Sequence, residues 1–293
     1  MNRYLIFRTD RIGDFLVSAI LIKSIKRNDK KSFVTVVSSE KNYDYIKTFN
    51  FIDEVVLLKN TFLQKIKLIL SLKKFNYQSI ILHDNKNISD FISFFLNTKK
   101  KISIKNFSFF SQIKIIKKIL NMLNFNFDQS DLNTLEEREK NTFKKKYIVL
   151  HLDEKWFHKT YIKNFKNIEP SKQDLLFFLK SLYTFARKQI IVTTGFATPK
   201  MLDKIFRYKN FKNILFLKNL NFSSLEKIIL NADLLISCHG SVSHIAAASQ
   251  IRQIDIIDNL YNYSLWTEHF RKYHFIYREN FKKLSEKILL EIK

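Results

Sequence analysis

Short apolar runs separated by amphipathic stretches fix the class of fold open to this chain. In the first half the runs are Tyr4 to Phe7, Phe33 to Val37, Val55 to Leu58, Ser79 to Leu82 and a weaker Lys101 to Ile104. Between them lie segments with helical spacing, such as Phe15 to Ile25 and Leu63 to Leu72. Strands of this length alternating with helices form βαβ units around a parallel sheet. The pattern breaks at Asp128 to Lys146, DQSDLNTLEEREKNTFKKK, the most polar long stretch, which reads as a boundary or exposed connection. It restarts with Tyr147 to Leu150 and runs through helix Gln173 to Phe185, strand Gln189 to Thr193, helix Lys200 to Phe206 and strand Asn213 to Phe216. Helix Ser223 to Leu230, strand Asp233 to Ser237, helix Ser241 to Ser249 and strand Gln253 to Ile257 follow. Arg278 to Ile292 reads as a closing amphipathic helix, with Phe281, Leu284, Ile288 and Ile292 near one face. The fold expected is α/β, with two Rossmann-like doubly wound domains, residues 1–135 and 136–293, facing a cleft. The last helix is free to pack back on the first domain.

Composition narrows the classes of function. With 46% hydrophobic and 15% aromatic residues, the chain has ample apolar surface to offset the entropy lost on folding. No run approaches the ~20 apolar residues that cross a bilayer, and Tyr4 to Phe7 is shorter than the ~7 to 15 of a signal-peptide core. A cytoplasmic location is expected. The single cysteine, Cys238, excludes an internal disulfide and a thiolate zinc site, and reads as a small buried apolar residue. A net charge of +24 invites phosphate-bearing partners. Much of it follows from codon usage, since Lys, Asn, Ile and Phe abound while Gly and Pro nearly vanish, as an A/T-rich coding sequence produces. The remainder suits anionic lipid headgroups or a phosphate-bearing substrate.

Only three glycines occur in 293 residues, and Gly13, Gly195 and Gly240 each lie just beyond the end of an expected strand. Open α/β sheets bind ligands outside the carboxyl ends of their strands, where backbone turns sharply and approaches the ligand. Glycine permits such turns, so these three strand ends are the candidate sites, against the plainer account of ordinary turn glycines.

At the last of them, LLISCHGSVSHIAAAS, a helix begins at Ser241 and Ser243 after Gly240. Its first N–H groups and positive dipole end make an anion site suited to a diphosphate. His239 and His244 flank the turn, where either can donate to a phosphate or sugar oxygen or make a structural hydrogen bond. No carboxylate or third ligand lies near them in sequence, so no metal site is expected. In the first loop, Asp10 and Asp14 bracket Gly13 and Arg11. One carboxylate can cap the following helix, a role that suits Asp10, while the other faces the crevice as a general base. In the loop YIVLHLDEKWFHKTY, Lys155, His158 and Lys159 supply cations at another strand end. A lysine from it can balance a phosphate gathered by the Gly240 helix.

These segments together resemble the heptosyltransferase-type glycosyltransferases, glycosyltransferase family 9, the GT-B enzymes that build the lipopolysaccharide core. LIFRTDRIGDFLVSAILIKSIK is similar to that family's opening strand, R-x-D-R-I-G-D and helix. HLDEKWFHKTY resembles its H-P-G-x-x-W-x-x-K-x-W at His151, Trp156 and Lys159, with Tyr161 at the last aromatic. NFSSLEKIILNADLLISCHGSVSHIAAAS matches a third motif at Leu225, Glu226, Ala232, Asp233 and His244. The resemblance implies that Asp14 is the base that deprotonates the acceptor hydroxyl, that Lys159 binds phosphate, and that Gly240, Ser241 and His244 line the donor diphosphate. His239, Gly240 and Ser241 stand where the family has Asp, Ser or Thr, and Gly. Gly195 to Pro199 replaces its Gly-Gly-Pro-Ala-Glu loop without the carboxylate.

The function expected is transfer of heptose or a related sugar from a nucleotide-diphosphate donor to a lipid-linked glycan of the lipopolysaccharide-core type. It would be metal-independent, inverting and without a cofactor. Peripheral contact with an anionic membrane fits the charge. The rivals are a nucleotide-sugar epimerase of the same architecture, a transferase fold without activity, and a basic nucleic-acid-binding protein. The last lacks a reading motif, and no nucleic-acid partner is expected.

Overall fold

The computed structural model describes residues 1–292 except 108, 136–137, 139–146, 158–162, 196–199 and 207–212. The chain divides into two units, Met1–Thr134 with Ser264–His269, and Leu135–Tyr263 with Phe270–Lys293.

In the first unit β1 (Arg3–Phe7), β2 (Phe33–Ser38), β3 (Glu54–Leu57), β4 (Ser79–Leu82) and β5 (Lys101–Ser103) form a parallel sheet in the order β3-β2-β1-β4-β5. The connecting helices are α1 (Ile12–Asn28), α2 (Tyr43–Ile46), α3 (Phe62–Leu72), α4 (Asn87–Phe94) and α5 (Gln112–Met122). Because side chains alternate along a strand, Leu5 and Phe7 join Ile80 and Leu82 on one face. There they pack with Leu68 and Leu72 of α3 and with Ile92 and Leu96 at α4. Tyr4 points the other way, its ring 6.2 Å from Phe125 beyond α5 and its hydroxyl 3.2 Å from Asp29 beyond α1.

The polar stretch after Asp128 is anchored where it begins. Asp131 is fully buried and accepts from Ser24 Oγ at 2.6 Å and from Arg27 Nε and Nη2 at 3.0 Å each, so α1 holds it. That corrects the expectation of an exposed connection over this part, since a carboxylate so partnered is stable out of water.

The second unit repeats the plan with β6 (Tyr147–Leu152), β7 (Gln189–Thr194), β8 (Ile214–Leu217), β9 (Ala232–Cys238), β10 (Arg252–Ile257) and β11 (Tyr273–Tyr277). All are parallel, in the order β8-β7-β6-β9-β10-β11. Its helices are α6 (Lys172–Ala186), α7 (Lys200–Phe206), α8 (Phe222–Leu230), α9 (Ser241–Ala248) and α10 (Phe281–Ile292). The side chains of Ser171 and Asn221 accept the first-turn N–H groups of α6 and α8, which fixes where those helices start.

The closing helix α10 packs within this unit. Its Phe281, Leu284 and Ile288 are buried against α6, with the Phe281 and Phe178 rings 5.6 Å apart. The segment that joins the first unit is Ser264–His269.

Candidate active site

In each sheet the strand order reverses once, between β1 and β4 in the first and between β6 and β9 in the second. Loops leave such a point in opposite directions and open a crevice beyond the carboxyl ends of the strands. Both crevices are lined by residues that the sequence singles out.

In the first unit β1 delivers Arg8, 2% exposed, to the reversal point. Its Nε donates to the Asp14 carbonyl at 2.9 Å and its Nη1 to the His83 carbonyl beyond β4, while Asp10 Oδ2 lies 3.4 Å from Nη1. Burial pulls the Arg8 pKa down, and the charges of Asp14, Asp10 and Asp84 oppose it. Arg8, Asp10, Asp14, Asn85 and Gln112 line a cavity of about 210 Å³, walled on its apolar side by Ile115, Leu265 and Trp266 among others. Arg8 Nη2 and Gln112 Oε1 are buried and lack hydrogen-bond partners among the described residues.

The two aspartates divide their duties differently from the expectation. Asp14, not Asp10, closes the start of α1, accepting from the Arg11 N–H at 3.0 Å. It is the third residue of the helix, where a carboxylate reaches back to the preceding turn. Asp10 is instead held by Arg8 and by Lys86, whose Nζ lies 3.1 Å from its Oδ1. Asp14 therefore lines the cavity without an ion-pair partner among the described residues. Gly13 is the second residue of α1, and Arg11 is exposed.

In the second unit β6 ends at the turn Asp153 to Trp156, pinned by Asp153 accepting from the Lys155 N–H and by Trp156 Nε1 donating to the His151 carbonyl. Lys155 Nζ then reaches the end of β9, donating to the His239 carbonyl at 2.7 Å. A Cβ on Gly240 would stand 2.1 Å from that ammonium, so the glycine leaves the room in which Lys155 sits over the start of α9. Gly195 touches the same turn, where a Cβ would stand 2.8 Å from Glu154 Oε2. No glycine among the described residues lies in the left-handed region, and Gly240 is extended at φ 175°. What Gly195 and Gly240 provide is space, and the expected need for conformational freedom is not met.

Asp255 of β10 fixes the turn from beneath. Its buried carboxylate accepts from His239 Nδ1 at 2.6 Å and from Ser243 Oγ at 2.7 Å, with the Tyr273 hydroxyl 3.3 Å away. The expectation that no carboxylate lies near His239 is thus corrected, because parallel pairing sets Ser237 against Asp255. With Nδ1 engaged, His239 Nε2 makes no hydrogen bond among the described residues. His244 is buried edge-on to Phe270, ring centroids 5.3 Å apart. Ser241 and Ser243 occupy the first turn of α9, whose leading N–H groups have no intrahelical acceptor.

Arg278, which sequence reading missed, is 4% exposed at the end of β11. Its Nη2 donates to the Lys155 carbonyl at 2.8 Å and its Nη1 lies 3.4 Å from Cys238 Sγ, tying the lysine turn to β9. Burial pushes the Cys238 thiol well up, as for an inert packed cysteine. Lys159, His158, Tyr161 and Phe196 to Pro199 lie outside the described residues.

Burial lowers the pKa of His151 to about 4, below the ~6.5 of an unfolded chain. Between those values the unfolded chain holds a proton that the folded chain does not. Stability accordingly falls as pH drops from about 6.5 toward 4. His151 alone contributes a loss of about 2 kcal/mol at pH 5, and His83, lowered by burial and by Arg8, adds in the same sense. Urea midpoints at pH 7 and pH 5 measure the slope, which His151→Gln should make shallower.

The chain matches no protein-family model and none of the curated proteins. Solved structures share its fold along nearly its whole length. It is similar to the heptosyltransferase WaaC of E. coli, solved with ADP, at a TM-score of 0.75 and 11% identity, over 99% of this chain and 100% of that one. It is also similar to E. coli ADP-heptose lps heptosyltransferase II, at 0.69 and 11%, over 100% and 97%. The UDP-GlcNAc 2-epimerase of Methanocaldococcus jannaschii follows at 0.58 and 10%, over 99% and 92%. The fold is GT-B, and it is common to transferases and epimerases alike.

Proposed function

We propose that the chain is a glycosyltransferase that moves a sugar, heptose or a relative of it, from a nucleotide-diphosphate donor to a hydroxyl of a lipopolysaccharide-core or other surface-glycan acceptor. The observation that supports this most is the chemistry at the two reversal points. One holds Asp14 beside a cavity, and the other an ammonium over the first turn of a helix.

In this reading the donor diphosphate lies against α9 in the second unit. Lys155 and the leading N–H groups of Ser241 and Val242 carry its charge, with the His239 ring beside them. Gly195, Ser243 and His244 adjoin this site, and Lys159 follows Lys155 by four residues in the sequence. The acceptor sugar enters the first unit's cavity, its apolar face on Leu265 and Trp266. Its oxygens lie within reach of Arg8 Nη2, Asn85 and Gln112, with Asp10, Arg11 and Gly13 forming the adjoining loop. Asp14 takes the hydroxyl proton as that oxygen attacks the anomeric carbon. The bond from the anomeric carbon to phosphate breaks, and its electron pair leaves on the diphosphate, where the cations stabilise the developing charge. One direct displacement inverts the anomeric centre. The positive groups on this chain supply the leaving-group stabilisation without a metal or cofactor.

No helix among the described residues is long and apolar enough to cross a membrane. The proposal places the enzyme in the cytoplasm with peripheral contact to the inner membrane face, where a chain of net charge +24 would meet a lipid-linked acceptor. Thermal unfolding against a panel of nucleotide-sugars tests the donor half. A true donor at about 100 times its Kd adds about 2.7 kcal/mol and raises Tm by several degrees. Incubation with that donor alone separates the rivals. A changed sugar without an acceptor would establish an epimerase, and tight RNA binding with no nucleotide-sugar effect would establish the nucleic-acid reading.

A further inference from the structure

We propose that the outer faces of α3 and α4 form a docking surface for an anionic lipid bilayer. The inference concerns a face that plays no part in the chemistry above, and it rests on the proposed function's peripheral membrane contact, which it locates.

Helix α3 is apolar on two sides. Leu68 and Leu72 are buried against the sheet, yet Phe62, Leu63, Ile66 and Leu70 are 72%, 71%, 37% and 59% exposed. Spaced at i, i+4 and i+8, Phe62, Ile66 and Leu70 form one row along the helix, with Leu63 and Lys67 in the next. A water-soluble helix normally turns a polar face outward, so a second apolar stripe marks a contact with something apolar. Helix α4 covers the same side of the sheet, since Ile92 and Leu96 enter the same buried cluster as Leu68 and Leu72. It too points aromatics outward, with Phe91 at 52% and Phe94 at 80% exposed.

Charge selects the occupant. Between Glu54 and Asp84 the chain carries five lysines, Lys59, Lys65, Lys67, Lys73 and Lys74, and no acid. The one acid on α4, Asp90, is neutralised by Lys105 and faces Lys101 at 4.0 Å. Apolar side chains rimmed by lysines fit the boundary of an anionic leaflet, where the rings enter the acyl edge and the ammonium groups meet phosphates. A second copy of the chain would set these lysines against one another.

Flotation of the full chain with vesicles tests this. Vesicles of equal parts phosphatidylglycerol and phosphatidylcholine should bind it at least about tenfold more tightly than phosphatidylcholine alone, and added salt should release it. Combined Phe62→Ser, Leu63→Ser and Phe94→Ser should weaken binding by about tenfold or more with an unchanged circular dichroism spectrum. If that variant fails to fold, Phe94→Ser alone should still lower binding. Equal binding to both vesicles, or binding that these substitutions leave unchanged, overturns the proposal. So does a dimer in sedimentation velocity that the same substitutions dissolve, because the face would then be a self-association surface.

Discussion

Asp14→Asn should lower sugar transfer by about 10²- to 10⁴-fold while nucleotide-sugar affinity stays nearly unchanged. The substitution is a clean one because of how Asp14 is held. An asparagine oxygen can still accept from the Arg11 N–H that Asp14 Oδ2 meets at 3.0 Å, so the start of α1 survives. What is lost is the capacity to take a proton, and no ion pair is broken. Asp10→Asn is the comparison. Asp10 already serves Arg8 and Lys86, so its loss should disturb the loop and leave most of the rate. Initial rates with saturating donor, alongside calorimetric titration of the donor, separate the two quantities. A fully active Asp14→Asn enzyme would remove Asp14 as the base.

Lys155→Met should weaken binding of a nucleoside diphosphate by about 10- to 100-fold, since a hydrogen bond to a charged partner contributes about 1.5 to 3 kcal/mol. Methionine keeps the stem and removes the ammonium. Gly240→Ala should act in the same direction, because its new methyl cannot coexist with Lys155 Nζ 2.1 Å away and must move it. The resemblance to the heptosyltransferases puts this role on Lys159, so Lys159→Met belongs in the same titration. If only Lys159→Met weakens the nucleotide, Lys155 is a structural pin for the His239 carbonyl and the assignment fails.

The core strands were legible because most are buried on both faces and read as unbroken apolar runs, as YLIF and SIIL do. The strand Tyr273–Tyr277 was not expected, since at the sheet edge its residues are largely exposed and carry no such run. Missing it hid Arg278, which matters only because that strand delivers it to the Lys155 turn. The partner of His239 was equally hidden, for Asp255 reaches it through a strand register that no local pattern encodes. Scarcity of glycine did lead to the strand ends that line both reversal points. The reason differs, since Gly195 and Gly240 yield room to Glu154 and Lys155 and not an unusual backbone. Which aspartate closes α1 depends on one helical position, and sequence spacing favoured Asp10 where the structure uses Asp14.

The short return of the chain at Ser264–His269 bears on how such a protein can be dissected. Leu265 and Trp266 wall the cavity beside Asp14, and Glu268 meets Lys114 at 3.2 Å. A fragment ending at Thr134 would keep the first sheet and lose that wall. A chimera that swaps amino-terminal halves between relatives would likewise pair one parent's carboxylate with the other parent's tryptophan. Acceptor preference should then travel with both pieces of sequence together, and a graft that aims to transplant it has to carry the six distant residues along.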